Sequence, residues 1–199
     1  MSERIKLSKI SLREQKQKLG MYQRFLPALE ARKQQLLLYL AATQKTIAEQ
    51  RALMEEHLRE VSTWSLLFRD VEDRLPYMTV VQEVRCGEQN IAGLRVPLFE
   101  DVVFKEAPWS LFAMPYSFDA VVESARKGIA LREHIRLLEE RERILFEGFR
   151  KTSQRINLYE QRLIVDCRES IRRISVHLQD QQAAAVGVAK AAKRLSAGN

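Results

Sequence analysis

The sequence predicts an all-α dominated fold: a long antiparallel two-helix coiled coil formed by the N- and C-terminal helices, with a small β-hairpin and a short irregular segment in the middle. Three observations carry this. Residues 28–75 contain neither glycine nor proline, and four of the five prolines fall between 76 and 115, so the chain reads as helix, broken middle, helix. Apolar residues recur every seven positions along the first stretch. A helix-spaced apolar stripe runs through the last. The divisions that follow are an N-terminal coiled-coil helix over 1–75, a hairpin and aromatic segment over 76–116, and a C-terminal coiled-coil helix over 117–199, together one structural unit.

In the first helix, positions 5, 12, 19, 26, 33, 40, 47, 54, 61 and 68 read Ile, Leu, Leu, Leu, Lys, Leu, Ile, Met, Val and Phe. Spacing by seven is the mark of a coiled-coil seam. The companion positions three residues on are uneven: Tyr22, Leu29, Leu36, Trp64 and Val71 are apolar, whereas Ser8, Gln15, Thr43, Gln50 and His57 are polar. So patchy a seam suits an asymmetric partner better than a symmetric dimer. Pro27 falls inside the pattern and is expected to bend the helix or break its hydrogen-bond ladder locally.

The second helix is expected to start at Ser117, a candidate N-cap, with Asp119 in its first turn. Its stripe runs through Val121, Leu131, Ile135, Leu138, Leu145, Phe149, Ile156, Leu163, Cys167, Ile171, Ile174 and Leu178. Each helix would reach about 100 Å at 1.5 Å per residue. Neither can leave its stripe in water, so the two are expected to fold back on each other with both termini at one end.

Between them, Val80, Val81 and Val84 precede, and Ile91, Leu94 and Val96 follow, the run Cys86-Gly87-Glu88-Gln89-Asn90. Turn-type residues between β-rich runs predict a hairpin turning at that run. Phe99, Phe104, Trp109, Phe112, Tyr116 and Phe118 come next, and such a cluster is expected to form a small satellite core rather than an exposed docking patch.

Charge is placed unevenly. Residues 1–24 carry seven Lys/Arg against two acids and residues 150–199 ten against four, which leaves the remainder of the +7 chain acidic. Folding back would join Arg4, Lys6, Lys9 and Arg13 with Lys190, Lys193 and Arg194 at one basic tip. Clustered basic residues also occur in nucleic-acid and anionic-membrane binders. No aromatic interleaving accompanies them here, and no reading helix of a known DNA-binding type is evident, so nucleic acid is not an expected partner.

Chemistry is conspicuous by what the chain lacks. No Gly-x-x-x-x-Gly-Lys-Ser/Thr loop is present, so there is no phosphate cradle of that kind. His57, His134 and His177 stand far apart in sequence, outside any metal-ligand pattern. Glu139, Glu140 and Glu142 alternate with Arg136, Arg141 and Arg143 as on a solvated helix face. Cys86 and Cys167 read as small, partly buried apolar side chains. No catalytic, cofactor-binding or metal-binding residue is expected, and the chain is not expected to be an enzyme. The longest apolar run, Leu36 to Ala42, falls far short of the ~20 residues that span a bilayer. Met-Ser-Glu-Arg-Ile-Lys at the N-terminus lacks the core of a signal peptide. A cytoplasmic protein is expected.

Three segments point to a family. Asn90-Ile-Ala-Gly-Leu-Arg-Val-Pro-Leu-Phe-Glu100 resembles the hairpin return of the D subunits of V-type (vacuolar/archaeal-type) ATPases and ATP synthases, in which an Asn-Val-Ala-Gly-type turn leads to a proline and an aromatic. Arg155-Ile-Asn-Leu-Tyr-Glu160 is similar to that family's Arg-Val-Asn-Ala-Leu-Glu segment. Leu26-Pro-Ala-Leu-Glu-Ala-Arg-Lys33 resembles its Leu-Leu-x-x-Lys-x-x-x-Leu run. The order of the segments matches over essentially the whole chain. Gln154 departs from a usual Arg, Val165 from a usual Pro, and Gln179 to Ala185 from a stretch normally rich in Glu and Arg.

The resemblance implies a central rotor stalk that couples ATP hydrolysis or synthesis to ion translocation. The paired termini would enter the ring of nucleotide-binding A and B subunits, and the middle would point to the membrane ring. The small F subunit of the stalk would bind the lower coiled coil, and a socket subunit of the C/d type would receive the base. The chain would then sit peripheral to the inner membrane with no direct insertion. Expected partner contacts are the basic tip, the hairpin residues Asn90, Gly93 and Pro97, and the family segment's Arg155, Asn157 and Glu160. The rival expectations are the coiled-coil stalk of an export ATPase, which a hairpin insertion argues against, and a basic coiled-coil binder of nucleic acid or membrane.

Overall fold

The computed structural model describes residues 6–69, 73–106 and 115–197. Helix α1 spans Lys9–Thr63, followed by the short helices α2 (Leu66–Arg69) and α3 (Leu75–Met78). Strands β1 (Val81–Ile91) and β2 (Leu94–Phe104) form a two-stranded antiparallel sheet. Helix α4 (Phe118–Leu158) passes through a π-helical turn (Tyr159–Leu163) into α5 (Ile164–Ala197). By contacts the chain divides into two compact units, residues 1–33 with 151–199 and residues 34–150.

Ser8 starts α1 as an N-cap: its Oγ accepts the Ser11 amide at 3.2 Å, and its carbonyl accepts the Leu12 amide at 3.0 Å. The helix continues unbroken through Pro27. It ends at Thr63, short of the expected 75. There Ser62, Thr63 and Ser65 turn their hydroxyls onto the carbonyls of Arg59, Glu60 and Ser62 at 2.6, 2.7 and 3.2 Å, and such local bonding competes with helix continuation. The heptad holds by geometry rather than by residue type. None of the seam positions 12, 19, 26, 33, 40, 47, 54 and 61 is exposed, and none of the companions 8, 15, 22, 29, 36, 43, 50, 57 and 64. Two polar companions are fully buried. Thr43 Oγ1 donates to the Tyr39 carbonyl at 2.8 Å, and His57 Nε2 meets the Ser124 carbonyl of α4 at 3.0 Å. Thr43 thereby avoids the penalty of an unmade bond, whereas His57 satisfies one ring nitrogen and leaves Nδ1 buried without a hydrogen-bond partner.

Helix α4 begins at Phe118, with the Val121 amide on the Ser117 carbonyl at 3.1 Å and Asp119 in the first turn, as the sequence predicts. Every residue of the predicted stripe is buried or half-buried. In the unit of residues 34–150, Gln44 donates to Glu142 at 2.7 Å, Arg51 pairs with Glu139 at 2.6 Å, and His57 meets Ser124. Numbers rise on α1 as they fall on α4, so the helices run antiparallel there. In the other unit, the Tyr22 and Tyr159 rings lie 5.3 Å apart. From Gln179 to Ala197, α5 is exposed at every residue.

The hairpin turns later than predicted. Cys86–Asn90 lies within β1, and the turn is Ala92-Gly93, with φ of 50° and 78°. Two successive positive φ values suit the right-handed twist of a two-residue hairpin, and Gly93 adopts its value at no steric cost. Gly87, which suggested the turn, lies in the strand beneath Glu100, whose Oε1 would stand 2.8 Å from a Cβ at that position. The pairing skips one residue between Arg85/Cys86 and Asp101/Phe99, so Glu100 is a bulge. Cys86 is exposed, contrary to expectation, and only Cys167 is buried.

Two clusters form the core of the 34–150 unit. Leu36 and Leu40 of α1, Leu145 of α4, and Ile91 and Val96 of the hairpin make one; Met78, Phe118, Val121 and Val122, flanked by Trp64 and Leu75, make the other. Full burial of a side chain of this size stabilises by about 1.5–3 kcal/mol. The aromatic segment divides rather than forming one core: Phe118 is buried, Phe99 and Phe104 are half-buried, and Tyr116 is fully exposed. Trp109 and Phe112 lie outside the described residues.

Candidate functional site

The predicted contact residues fall into three groups. Asn90 sits at the end of β1, its Oδ1 accepting the Gly93 amide at 3.0 Å, so the side chain closes the turn. Gly93 supplies the turn's second positive φ. Pro97 stands opposite Glu88 in the sheet; with only two strands its missing N–H is tolerated at a sheet edge.

What presents this hairpin was not predicted from sequence. Phe99 stacks on His134 of α4 with centroids 4.5 Å apart and planes 15° from parallel. Arg126 of α4 lies 5.2 Å from the Phe104 ring centre and donates Nε and Nη2 to the Met78 carbonyl at 3.1 and 2.9 Å. One guanidinium thus ties α3, β2 and α4 together. At the hairpin tip, Leu94 packs onto α4 at Gly148. The one signal available in sequence was glycine inside a helical pattern, which costs helix propensity and so implies a packing reason. Burial lowers the His134 pKa below its ordinary 6.5.

Arg155 and Asn157, near the end of α4, and Glu160, in the π-turn, are all exposed. They share a unit with the predicted basic residues. Among these, Lys6, Lys9, Arg13, Lys190, Lys193 and Arg194 are exposed; Arg4 lies outside the described residues. Lys9, Arg13 and Lys16 flank a shallow depression on α1 together with Leu12 and Gln17. Burial raises the Cys167 thiol pKa, with Lys18 opposing in part, which makes it a poor nucleophile. Among the described residues, no group of three or more His, Cys, Asp or Glu could hold a metal ion, and no helix is long and apolar enough to cross a membrane.

Residues 11–194 match the family described as the D subunit of ATP synthase. Curated relatives include the V-type ATP synthase D subunit of Borreliella burgdorferi strain B31, 32% identical over 192 residues, covering 96% of this chain and 94% of the relative. Those of Chlamydia muridarum and Chlamydia pneumoniae are 31% and 30% identical over 196 residues, covering 98% of this chain and 97% and 94% of theirs.

Proposed function

Because the chain belongs to the family of ATP synthase D subunits, we propose that it works as the non-catalytic rotor shaft of its complex, turning inside a ring of nucleotide-binding subunits. It is a central-stalk subunit of a V-type ATPase, and its function is exercised with that complex's other subunits. The observation that carries the reading is a family match over residues 11–194, with the relatives covered over 94–97% of their length. The export-ATPase stalk and the nucleic-acid binder draw no support from it.

In this reading the basic end, Lys6, Lys9, Arg13, Lys190, Lys193 and Arg194, enters the ring of A and B subunits. The lower coiled coil serves the small F subunit of the stalk, and the base serves a socket subunit above the membrane ring. The complex holds the chain peripheral to the membrane, without insertion. A shaft needs two helices that cannot slip past each other. The continuous seam and the Gln44–Glu142 and Arg51–Glu139 cross-links support that requirement.

The exposed Cys86 and buried Cys167 make a direct test practical. A bead is attached through Cys86, and the chain is assembled with a catalytic ring lacking its own stalk. ATP is expected to drive unidirectional rotation. A chain that fails to enter the ring, yet binds duplex DNA or anionic vesicles with steep salt dependence, would overturn the proposal.

A further inference from the structure

The stripe of the second long helix changes phase at one place. Leu138, Leu145 and Thr152 are buried at intervals of seven. Tyr159, the next in that series, stacks with Tyr22. Cys167 and Ile174 are buried seven apart from each other, but Cys167 follows Tyr159 by eight. Asp166, which an unbroken series of sevens would send into the seam, is exposed. One surplus residue therefore lies between Tyr159 and Cys167, and there the helix adopts its π-turn, Tyr159–Leu163.

The coincidence has a physical cause. An α-helix turns about 100° per residue, so a surplus residue in straight helix would swing the whole downstream stripe off the seam. A π-turn winds one extra residue into a single turn and returns the next residues to their former face. Coiled coils otherwise absorb such insertions by unwinding over several turns. No proline lies between 116 and 199, so the irregularity belongs to the register itself.

We propose that the π-turn Tyr159–Leu163 is a register store: it holds the surplus residue that separates two phases of the seam, and it is where the second helix yields to twist. Its hydrogen bonds span five residues, as from the Ile164 amide to the Tyr159 carbonyl, a winding rarer and less favourable than the α-helical one on either side, so twist is taken up there. Tyr159 at one end and Ile164 and Cys167 at the other hold the phases that confine it. The mechanical consequence rests on the shaft reading; the register store itself does not.

The test uses the full chain. Deleting exposed Gln161 restores a spacing of seven from Tyr159 to Cys167, whereas deleting exposed Glu49 of α1 disrupts an unbroken heptad. The Gln161 deletion is expected to keep full helicity and to melt at or above the wild-type temperature, with the Glu49 deletion melting clearly lower. Amides of 159–164 should exchange about fivefold faster than their neighbours in the wild type, the factor expected for one weakened hydrogen bond. That difference should vanish in the Gln161 deletion. If the Gln161 deletion melts as low as the Glu49 deletion, or if wild-type 159–164 exchange as slowly as their neighbours, the register store is overturned. In the bead assay, the Gln161 deletion should narrow the angular spread of a paused rotor. An unchanged spread overturns the yielding role alone. Failure of the wild-type chain to assemble instead overturns the shaft reading and leaves the exchange result standing.

Discussion

Leu94 of the hairpin tip lies so close to Gly148 of α4 that a Cβ built on the glycine would stand 2.2 Å from its Cδ1 and 3.3 Å from its Cγ. The hairpin can rest on the coiled coil only because that position has no side chain. Gly148→Ala is therefore expected to destabilise the fold by about 1–3 kcal/mol, the usual range for overpacking, despite the better helix propensity of alanine. Gly128→Ala serves as the counterpart: its Cβ would meet the His57 ring at 3.5 Å, an ordinary contact. That variant is expected to gain up to about 1 kcal/mol from propensity. Urea unfolding of both decides it, and equal effects would mean that the contact with Leu94 does not govern.

Ala92 holds a φ of 50°, a conformation that costs an L-residue roughly 1–2 kcal/mol and that asparagine tolerates better. Ala92→Asn should stabilise the hairpin by up to about 1 kcal/mol. Thermal melts of the full chain will show it, and a lower melting temperature would contradict this account of the turn.

Arg51 and Glu139 join α1 to α4 at 2.6 Å, with their side chains 60% and 47% exposed. That exposure limits the pair to a coupling of about 0.2–1 kcal/mol. A double-mutant cycle with Arg51→Gln and Glu139→Gln should return a value in this range that shrinks as salt is raised. Helix register then rests mainly on the seam, with the ion pair as a minor contributor. A coupling well above the range would reverse that order.

Much of the fold was legible because coiled coils write their geometry in the chain. The heptad of α1 located its buried face even where Thr43, Gln50 and His57 broke the chemical pattern, since period outranks residue identity in setting direction. The turn was misplaced because Gly87 carries a turn residue's identity for another reason: it makes room for the Glu100 bulge two strand positions across. The early end of α1 escaped notice because hydroxyls bonding back to carbonyls leave the heptad undisturbed. The π-turn was hidden because the predicted stripe from Leu131 onward steps by 3, 4 and 7, a mixture that absorbs one surplus residue without showing it. At the candidate site, Asn90 and Gly93 were legible as turn chemistry. The seating of the hairpin on His134, Arg126 and Gly148 was not, because pairing between distant segments leaves no local periodicity.

His134 gives the hairpin contact a pH dependence. Burial against Phe99 disfavours the charged imidazole, so its folded pKa lies below the ordinary 6.5. With the folded value depressed, the unfolded chain binds the proton more readily as pH falls. The contact's contribution is thus complete above the unfolded pKa and is lost as pH falls through the folded one. Wild type should lose stability relative to His134→Phe as pH drops below 6.5, and the two should run parallel above neutrality. Parallel denaturation midpoints across the acid range would remove His134 from the account.

The basic end offers the most direct link from charge placement to assembly. Lys6, Lys9, Lys190, Lys193 and Arg194 are exposed, so replacing all five with glutamine removes five positive charges without touching the seam. The melt of the isolated chain should barely move, because exposed charges each contribute little to folding and are screened beyond about 10 Å at 0.1 M salt. In the proposed shaft reading these charges would act in assembly: a basic end would be drawn toward a ring of opposite potential, which raises an association rate more than the final affinity. The five-fold variant is therefore expected to enter the catalytic ring more slowly, and its association rate should depend less on salt than that of the wild type. Dissociation should change little, since steering charges act mainly on the association rate. Stopped-flow association across a salt series separates the two effects. Identical rates and salt slopes for variant and wild type would leave these charges with no part in assembly, and an unfolded variant would show instead that they support the fold.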